Sequence, residues 1–122
     1  MSDQELAKRQ VWDIYAKAWG TAKLSERLGL FEQSLDARCV YTAPNARAQG
    51  WDELDAEMAR FQADVPGGSF AVTYFLSHHD YCFTRWDLLN AEGVRQVSGQ
   101  SVGEFNAQGK LVKMTGFFEL PG

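Results

Sequence analysis

From Phe70 onward, apolar and polar side chains alternate with the period of two that a half-buried strand requires, and short polar loops interrupt the alternation. The pattern predicts strands over residues 70–78, 80–90, 94–106 and 110–119. The loops Asn90-Ala91-Glu92-Gly93 and Asn106-Ala107-Gln108-Gly109 each end in the glycine a hairpin uses where φ turns positive. In the third strand the odd positions Val97, Gly99, Ser101, Gly103 and Phe105 are small or apolar, while Gln96, Ser98, Gln100 and Glu104 alternate with them, so one face is dry. Two glycines on that face remove side-chain bulk from mid-strand, favour bending, and predict a hollow beside the sheet. With a two-residue loop at Ala91-Glu92, Trp86 faces Val97, Thr84 faces Gly99 and Cys82 faces Ser101. Thr84, Trp86 and Leu88 then surround the same hollow, and a one-residue error would exchange them for Phe83, Arg85 and Asp87.

Upstream, the period changes. Ala7, Val11, Ile14, Tyr15, Ala18 and Trp19 recur at amphipathic-helix spacing over residues 4–20, with Ser2 or Asp3 as cap and Gly20-Thr21 as stop. A second, shorter helix begins near Ser25 and carries Leu24, Leu28, Phe31 and Leu35, with Arg27 and Glu32 expected to face water. Asp36 to Pro44 reads as a strand ended by proline, followed by a polar loop from Asn45 to Gln49. After Gly50, a third helix presents Trp51, Leu54, Met58 and Phe61, with Asp52, Glu53 and Asp55 in its first turn, until Val65-Pro66-Gly67-Gly68-Ser69 breaks it. Helix, helix, strand, helix and then a run of strands predicts an α+β class. The expected form is one domain over residues 1–122: a cone-shaped, curved, mixed or antiparallel sheet with about three helices packed on its concave face. The open end of such a cone can admit a ligand.

Composition narrows the partners. Twelve basic residues are scattered among sixteen acidic ones, a net charge of −4, which leaves no footprint for nucleic acid. The opening Met-Ser-Asp-Gln-Glu-Leu is polar where a secretory signal is apolar, and no apolar run approaches membrane-spanning length. No membrane association and a cytoplasmic location are expected. Cys39 and Cys82 read as buried free thiols, and without a CxxC pair or a His/Cys cluster no metal is expected. Gly67-Gly68 is a helix stop and not a phosphate cradle, so no nucleotide or other cofactor is implied.

Several segments together resemble one family. They are Val40-Tyr41-Thr42-Ala43-Pro44 followed by Gly50-Trp51-Asp52-Glu53-Leu54, the Arg85-Trp86 strand, and Val102-Gly103-Glu104-Phe105 running through Gly109-Lys110-Leu111 to Gly116-Phe117-Phe118. In this order they resemble the nuclear-transport-factor-2-like (NTF2-like) superfamily, in particular its SnoaL-like bacterial members, over nearly the whole chain. The resemblance implies a cone that in different relatives serves ketosteroid isomerases, polyketide cyclases, an epoxide hydrolase, dehydratases or no catalysis. It also implies which positions to inspect. The proton-shuttling aspartate of the isomerases corresponds to Ala43, and their second, protonated aspartate to Ser101, whose hydroxyl can donate but is a weaker oxyanion partner. The helix-borne phenol of those enzymes corresponds to Tyr15, or its place is taken by Trp19. Without the two carboxylates, steroid-type isomerisation is not expected.

Among the remaining candidates, His78 on the even face is either a base oriented by Asp80 or a turn histidine bonded to backbone, with His79 on the other face. Tyr41 shares the parity of Cys39 and Ala43, and Tyr74 that of Val72, so each phenol either projects to the cavity wall or belongs to a core aromatic whose hydroxyl finds one partner. Met58, Phe61, Gly99, Phe105, Met114 and Phe118 are expected to complete an apolar lining with Trp19, Ala43 and Trp86. Tyr81, Phe83 and Arg85 fall on the outer sheet face, where uncovered aromatics predict a homodimer interface, the alternative being an ordinary solvated face with scattered aromatics. The expectation is a pocket for a small hydrophobic or aromatic molecule. The alternatives are a dimeric interaction module without ligand, or an isomerase, cyclase or lyase using His78 or a tyrosine.

Overall fold

A computed structural model describes residues 2–120. Three helices precede or interrupt a six-stranded sheet: α1 (Asp3–Trp19), α2 (Leu24–Ser34), β1 (Leu35–Ala43), β2 (Ala46–Gln49), α3 (Gly50–Asp64), β3 (Ser69–His78), β4 (Tyr81–Leu89), β5 (Arg95–Phe105) and β6 (Leu111–Phe117). The strands lie in the order β2-β1-β6-β5-β4-β3, antiparallel except for the β1–β6 pair, so the curved, unclosed sheet is mixed. The fold is α+β, as the element order predicts. The segment after Pro44, read as a polar loop, instead pairs back on β1 as the short edge strand β2.

Local chemistry explains the ends of the elements. Ser2 caps α1 by accepting the Glu5 N–H at 3.2 Å. Both long hairpins close on the same device: the side chains of Asn90 and Asn106 accept two backbone N–H groups each, and Gly93 and Gly109 take φ of 79° and 77°. α1 lies across β3, while α3 lies across β1 and β2. Between helices and sheet sit Phe31, Leu54, Met58, Leu111 and Met114, all fully buried.

Two features correct the sequence reading. Arg27, expected in water, is 4% exposed: its Nε donates to Asp55 Oδ1 at 2.6 Å and its Nη1 to the carbonyls of Thr21 and Ala22, tying the α1–α2 turn to α3. The β4–β5 register is two residues from the one expected, with Trp86 opposite Gly99, Thr84 opposite Ser101 and Cys82 opposite Gly103. One residue of the difference comes from the loop, where the Asn90 N–H donates to the Val94 carbonyl and leaves three residues between them. The second comes from an irregularity between Leu88 and Leu89 that leaves Gln96 without a counterpart. Because two is even, the faces survive: Thr84, Trp86 and Leu88 share the concave side with Ser101.

Candidate functional site

The concave side holds a cavity of about 250 Å³ between α1, α3 and the sheet. α1 contributes Trp12, Tyr15, Ala16 and Trp19, which share one face because they lie three, four and seven positions apart. From α3 come Glu57, Arg60, Phe61 and Asp64, again one face, which carries the charged rim. The strands supply Tyr41, Phe70, Val72, Trp86, Leu88, Val97, Ser101 and Gly116, with Phe118 following β6. Gln62 fixes the two helices against each other by donating to the carbonyls of Trp19 at 2.7 Å and Gly68 at 2.9 Å.

The wall is an aromatic chain. Trp19 packs against Tyr41, Phe61 and Phe70 at ring separations of 5.2, 5.8 and 6.0 Å; Phe70 meets Trp86 edge-on at 5.0 Å, and Trp86 meets Phe118 at 5.9 Å. These are favourable edge or tilted contacts, and they hold the rings in fixed orientations. Three hydroxyls punctuate the apolar surface. Burial pushes the Tyr15 phenol well above its ordinary range, with the nearby Tyr41 adding to the effect and the Trp19 indole N–H opposing it. Tyr41 is pushed up to about 12, chiefly by burial and then by the Glu57 carboxylate, against the opposing Arg60 charge. Both phenols therefore remain protonated at neutral pH. The third hydroxyl, Ser101, is 8% exposed and accepts the Trp86 Nε1–H at 3.0 Å.

The carboxylates in the lining belong to α3: Glu57, paired with Arg60, and Asp64. Among the described residues, none of the cavity's strand residues is a carboxylate or a histidine. Such a site can hold rings and offer neutral hydrogen bonds. No group of three or more His, Cys, Asp or Glu side chains among the described residues is arranged to hold a metal ion.

Of the residues singled out from sequence, Tyr15, Trp19, Tyr41, Phe61, Trp86, Leu88, Val97, Ser101 and Phe118 come together on this cavity, so Tyr15 and Trp19 both reach it. The others lie elsewhere. A bulge at Thr73 shifts the β3 register between Val72 and Tyr74 and inverts the faces beyond it. Phe75 therefore turns inward, while Tyr74, 43% exposed, and His78 turn outward; His78 Nδ1 lies 3.0 Å from His79 Nδ1 and not at the cavity. Met58, Phe105 and Met114 are packed core beneath the lining. Gly99 does not open space: a Cβ there would lie 2.5 Å from the Trp86 ring, which fills the place. Gly103 is likewise occupied, by Cys82, Leu111 and Trp12. Ala43 sits behind Gly116, with its methyl 3.9 Å from where a Cβ on that glycine would be. Sequence reasoning missed Trp12, Phe70, Glu57, Arg60 and Asp64. The helical spacing of Trp12 to Tyr15 and Trp19, and of Glu57 to Arg60, Phe61 and Asp64, was the available signal.

No protein-family model matches the sequence, and none of the curated proteins is similar to it at sequence level. Solved structures are similar in fold. A SnoaL-like family protein from Agrobacterium tumefaciens, named as an isomerase, superposes with a TM-score of 0.86 at 21% identity over 98% of this chain and 100% of its own. A SnoaL-like protein of Jannaschia, named as a polyketide cyclase, gives 0.76 at 14% identity over 98% of this chain and 90% of its own. A protein of unknown function with a cystatin-like fold from Methylobium petroleophilum gives 0.76 at 12% identity over 97% and 79%. The chain has the SnoaL-like, NTF2-like fold.

Proposed function

We propose that this protein binds a small, uncharged, apolar ring compound in the aromatic cavity and does so without proton-transfer catalysis. The observation that carries the reading is the cavity of about 250 Å³ walled by rings, with Ala43 and Ser101 where isomerase relatives are expected to place carboxylates. A dry cavity of about 150 Å³ accommodates benzene, so this one suits one or two fused rings. A four-ring skeleton would have to extend out of its open end. His78 faces outward, both phenols are protonated, and the lining carboxylates Glu57 and Asp64 stand on the α3 rim with Glu57 paired to Arg60, which leaves an isomerase, cyclase or lyase reading without the strand-borne base of the isomerase relatives. The reading assigns the protein to the cytoplasm, which suits the two free buried thiols, Cys39 and Cys82. Thermal unfolding with and without naphthalene-sized compounds tests it. At a hundredfold excess over Kd a bound ligand adds about 2.7 kcal/mol, a rise of roughly 10 °C for a chain of this size. Stabilisation by a four-ring compound in preference to a two-ring one would count against the size argument.

A second reading concerns the outer face. Tyr74, Leu76, Tyr81 and Phe117 are exposed there, and the Arg85 guanidinium lies 5.2 Å from the Tyr74 ring and 5.8 Å from that of Phe83. Such an apolar patch on an uncovered sheet supports a homodimer joined through Tyr81, Phe83 and Arg85. Sedimentation of the wild type and of Phe83→Asp tests this: a dimer that the substitution makes monomeric agrees, and a wild-type monomer at high concentration refutes it.

A further inference from the structure

Adjacent residues of a strand point to opposite faces, so a His78-His79 pair in continuous strand would hold its two rings apart. The chain turns at this point instead. His78 pairs with Tyr81, which leaves only His79 and Asp80 to reverse β3 into β4. His79 takes a φ of 51° and is the one non-glycine residue among those described to enter the left-handed region, which glycine adopts freely and a histidine at some cost. The turn is tied to the sheet by the Phe105 N–H, which donates to the Asp80 carbonyl at 2.7 Å. As a result the two exposed imidazoles meet, with ring planes 84° apart and Nδ1 atoms separated by 3.0 Å. One Nδ1–H there donates to the lone pair of the other Nδ1.

That separation is also the bite of a metal chelate. An imidazole nitrogen binds a late first-row divalent ion of zinc's size at about 2.0–2.1 Å, so two of them at a right angle are roughly 2.9 Å apart and at the tetrahedral angle roughly 3.4 Å. The observed spacing fits the right angle of the square-planar or tetragonal sites that copper(II) prefers, and copper(II) leads this series in affinity for nitrogen donors. Among the described residues no group of three or more His, Cys, Asp or Glu side chains can share a metal, so water completes the coordination. His78 and His79 are the only histidines of the chain and both cysteines are buried, so no other imidazole or accessible thiol competes.

We infer that His78 and His79 form a bidentate surface site for a divalent copper ion, each giving its Nδ1 lone pair, while the proton between them moves to Nε2 of the ring that carried it. The site lies outside the aromatic cavity and stands or falls independently of the ligand-binding reading. Copper(II) chloride alone, titrated calorimetrically into the full chain in a buffer that does not coordinate the metal, is expected to bind one ion per chain. Pulsed electron paramagnetic resonance of the equimolar sample is expected to show two imidazoles on each copper. His78→Ala and His79→Gly should each bind about a hundredfold more weakly, the loss that follows when a two-point attachment becomes a one-point one. Glycine takes the positive φ of the turn freely, so in His79→Gly the loss of copper is separated from any loss of fold, with circular dichroism as the check. Should His78→Ala not fold, His79→Gly and the wild-type spectrum decide. No saturable binding, one copper per two chains, a single imidazole on each copper, or variants that bind within about tenfold of the wild type would overturn the assignment.

Discussion

Replacing Gly99 by alanine is a small change with a large expected effect. An added Cβ would lie 2.5 Å from Cη2 and Cζ2 of Trp86 and 2.8 Å from the Phe117 carbonyl oxygen. The carbonyl belongs to the neighbouring strand and cannot swing aside, so the indole must move. Overpacking of this kind costs about 1–3 kcal/mol. Displacing the indole also breaks its bond to Ser101 and leaves a buried N–H without a partner, a further penalty of about 1–3 kcal/mol. Removing a strand glycine offsets about 0.5–1 kcal/mol of this. The net expectation is a destabilisation of roughly 1–5 kcal/mol in urea unfolding with an unchanged m-value, accompanied by a changed near-ultraviolet tryptophan signal. Gly29→Ala is the control: nothing lies within 4 Å of its added Cβ in α2, so it should stabilise by about 0.5–1 kcal/mol. A Gly99→Ala protein within about 0.5 kcal/mol of wild type would show that Trp86 is not held where described.

Other consequences follow from buried polar groups. Arg27→Ala should cost about 3–5 kcal/mol by denaturant unfolding, because it strips Asp55 and the Thr21 and Ala22 carbonyls of their partner; a loss below about 1 kcal/mol would contradict the burial described. Thr84 is fully buried with an unpartnered hydroxyl, so Thr84→Val should raise stability by about 1 kcal/mol, measured as a higher melting temperature. Alkaline pH should weaken the fold. Folded Cys39 is raised from 9.0 to about 11, Cys82 from 9.0 to about 12 and Tyr41 from 10.0 to about 12, so over these windows the unfolded chain has lost protons that the folded one retains. Stability is then full below pH 9 and declines as pH rises toward 12, by up to about 1.4 kcal/mol per pH unit for each such group. In equilibrium unfolding, Tyr41→Phe should flatten the slope between pH 10 and 12, and an unaltered slope would refute its share.

The strands and hairpins were legible because their signals are local: alternation of side chains, and an asparagine three residues before a glycine. The faces of β4 and β5 were legible for the same reason, and survived a register error because two one-residue departures compensate. The bulge at Thr73 was not legible. Apolar residues at Phe70, Val72, Tyr74 and Leu76 run straight through it, so the pattern contains no trace of the inversion that exposes Tyr74 and His78. Arg27 illustrates a second kind of blindness, since a charged helix residue reads as solvated until its partner, 28 positions away in sequence, is brought beside it. The lining was legible in type but only partly in membership: Met58, Phe105 and Met114 have the chemistry of a pocket wall, and only the crossing of α1 and α3 over the sheet decides that they lie behind it.

Gly116 offers the most direct test of the central claim. A Cβ added there meets Ser101 Oγ at 3.6 Å, Ala43 Cβ at 3.9 Å and the Thr42 carbonyl at 4.0 Å, all ordinary contacts, and a larger side chain would grow from the sheet wall into the cavity. Calorimetric titration of 2-acetylnaphthalene into the wild type should give one site per chain. The same titration of Gly116→Phe, folded by circular dichroism, should give no binding heat. Absence of binding by the wild type, or undiminished binding by the plugged variant, would contradict the placement of a ligand in this cavity.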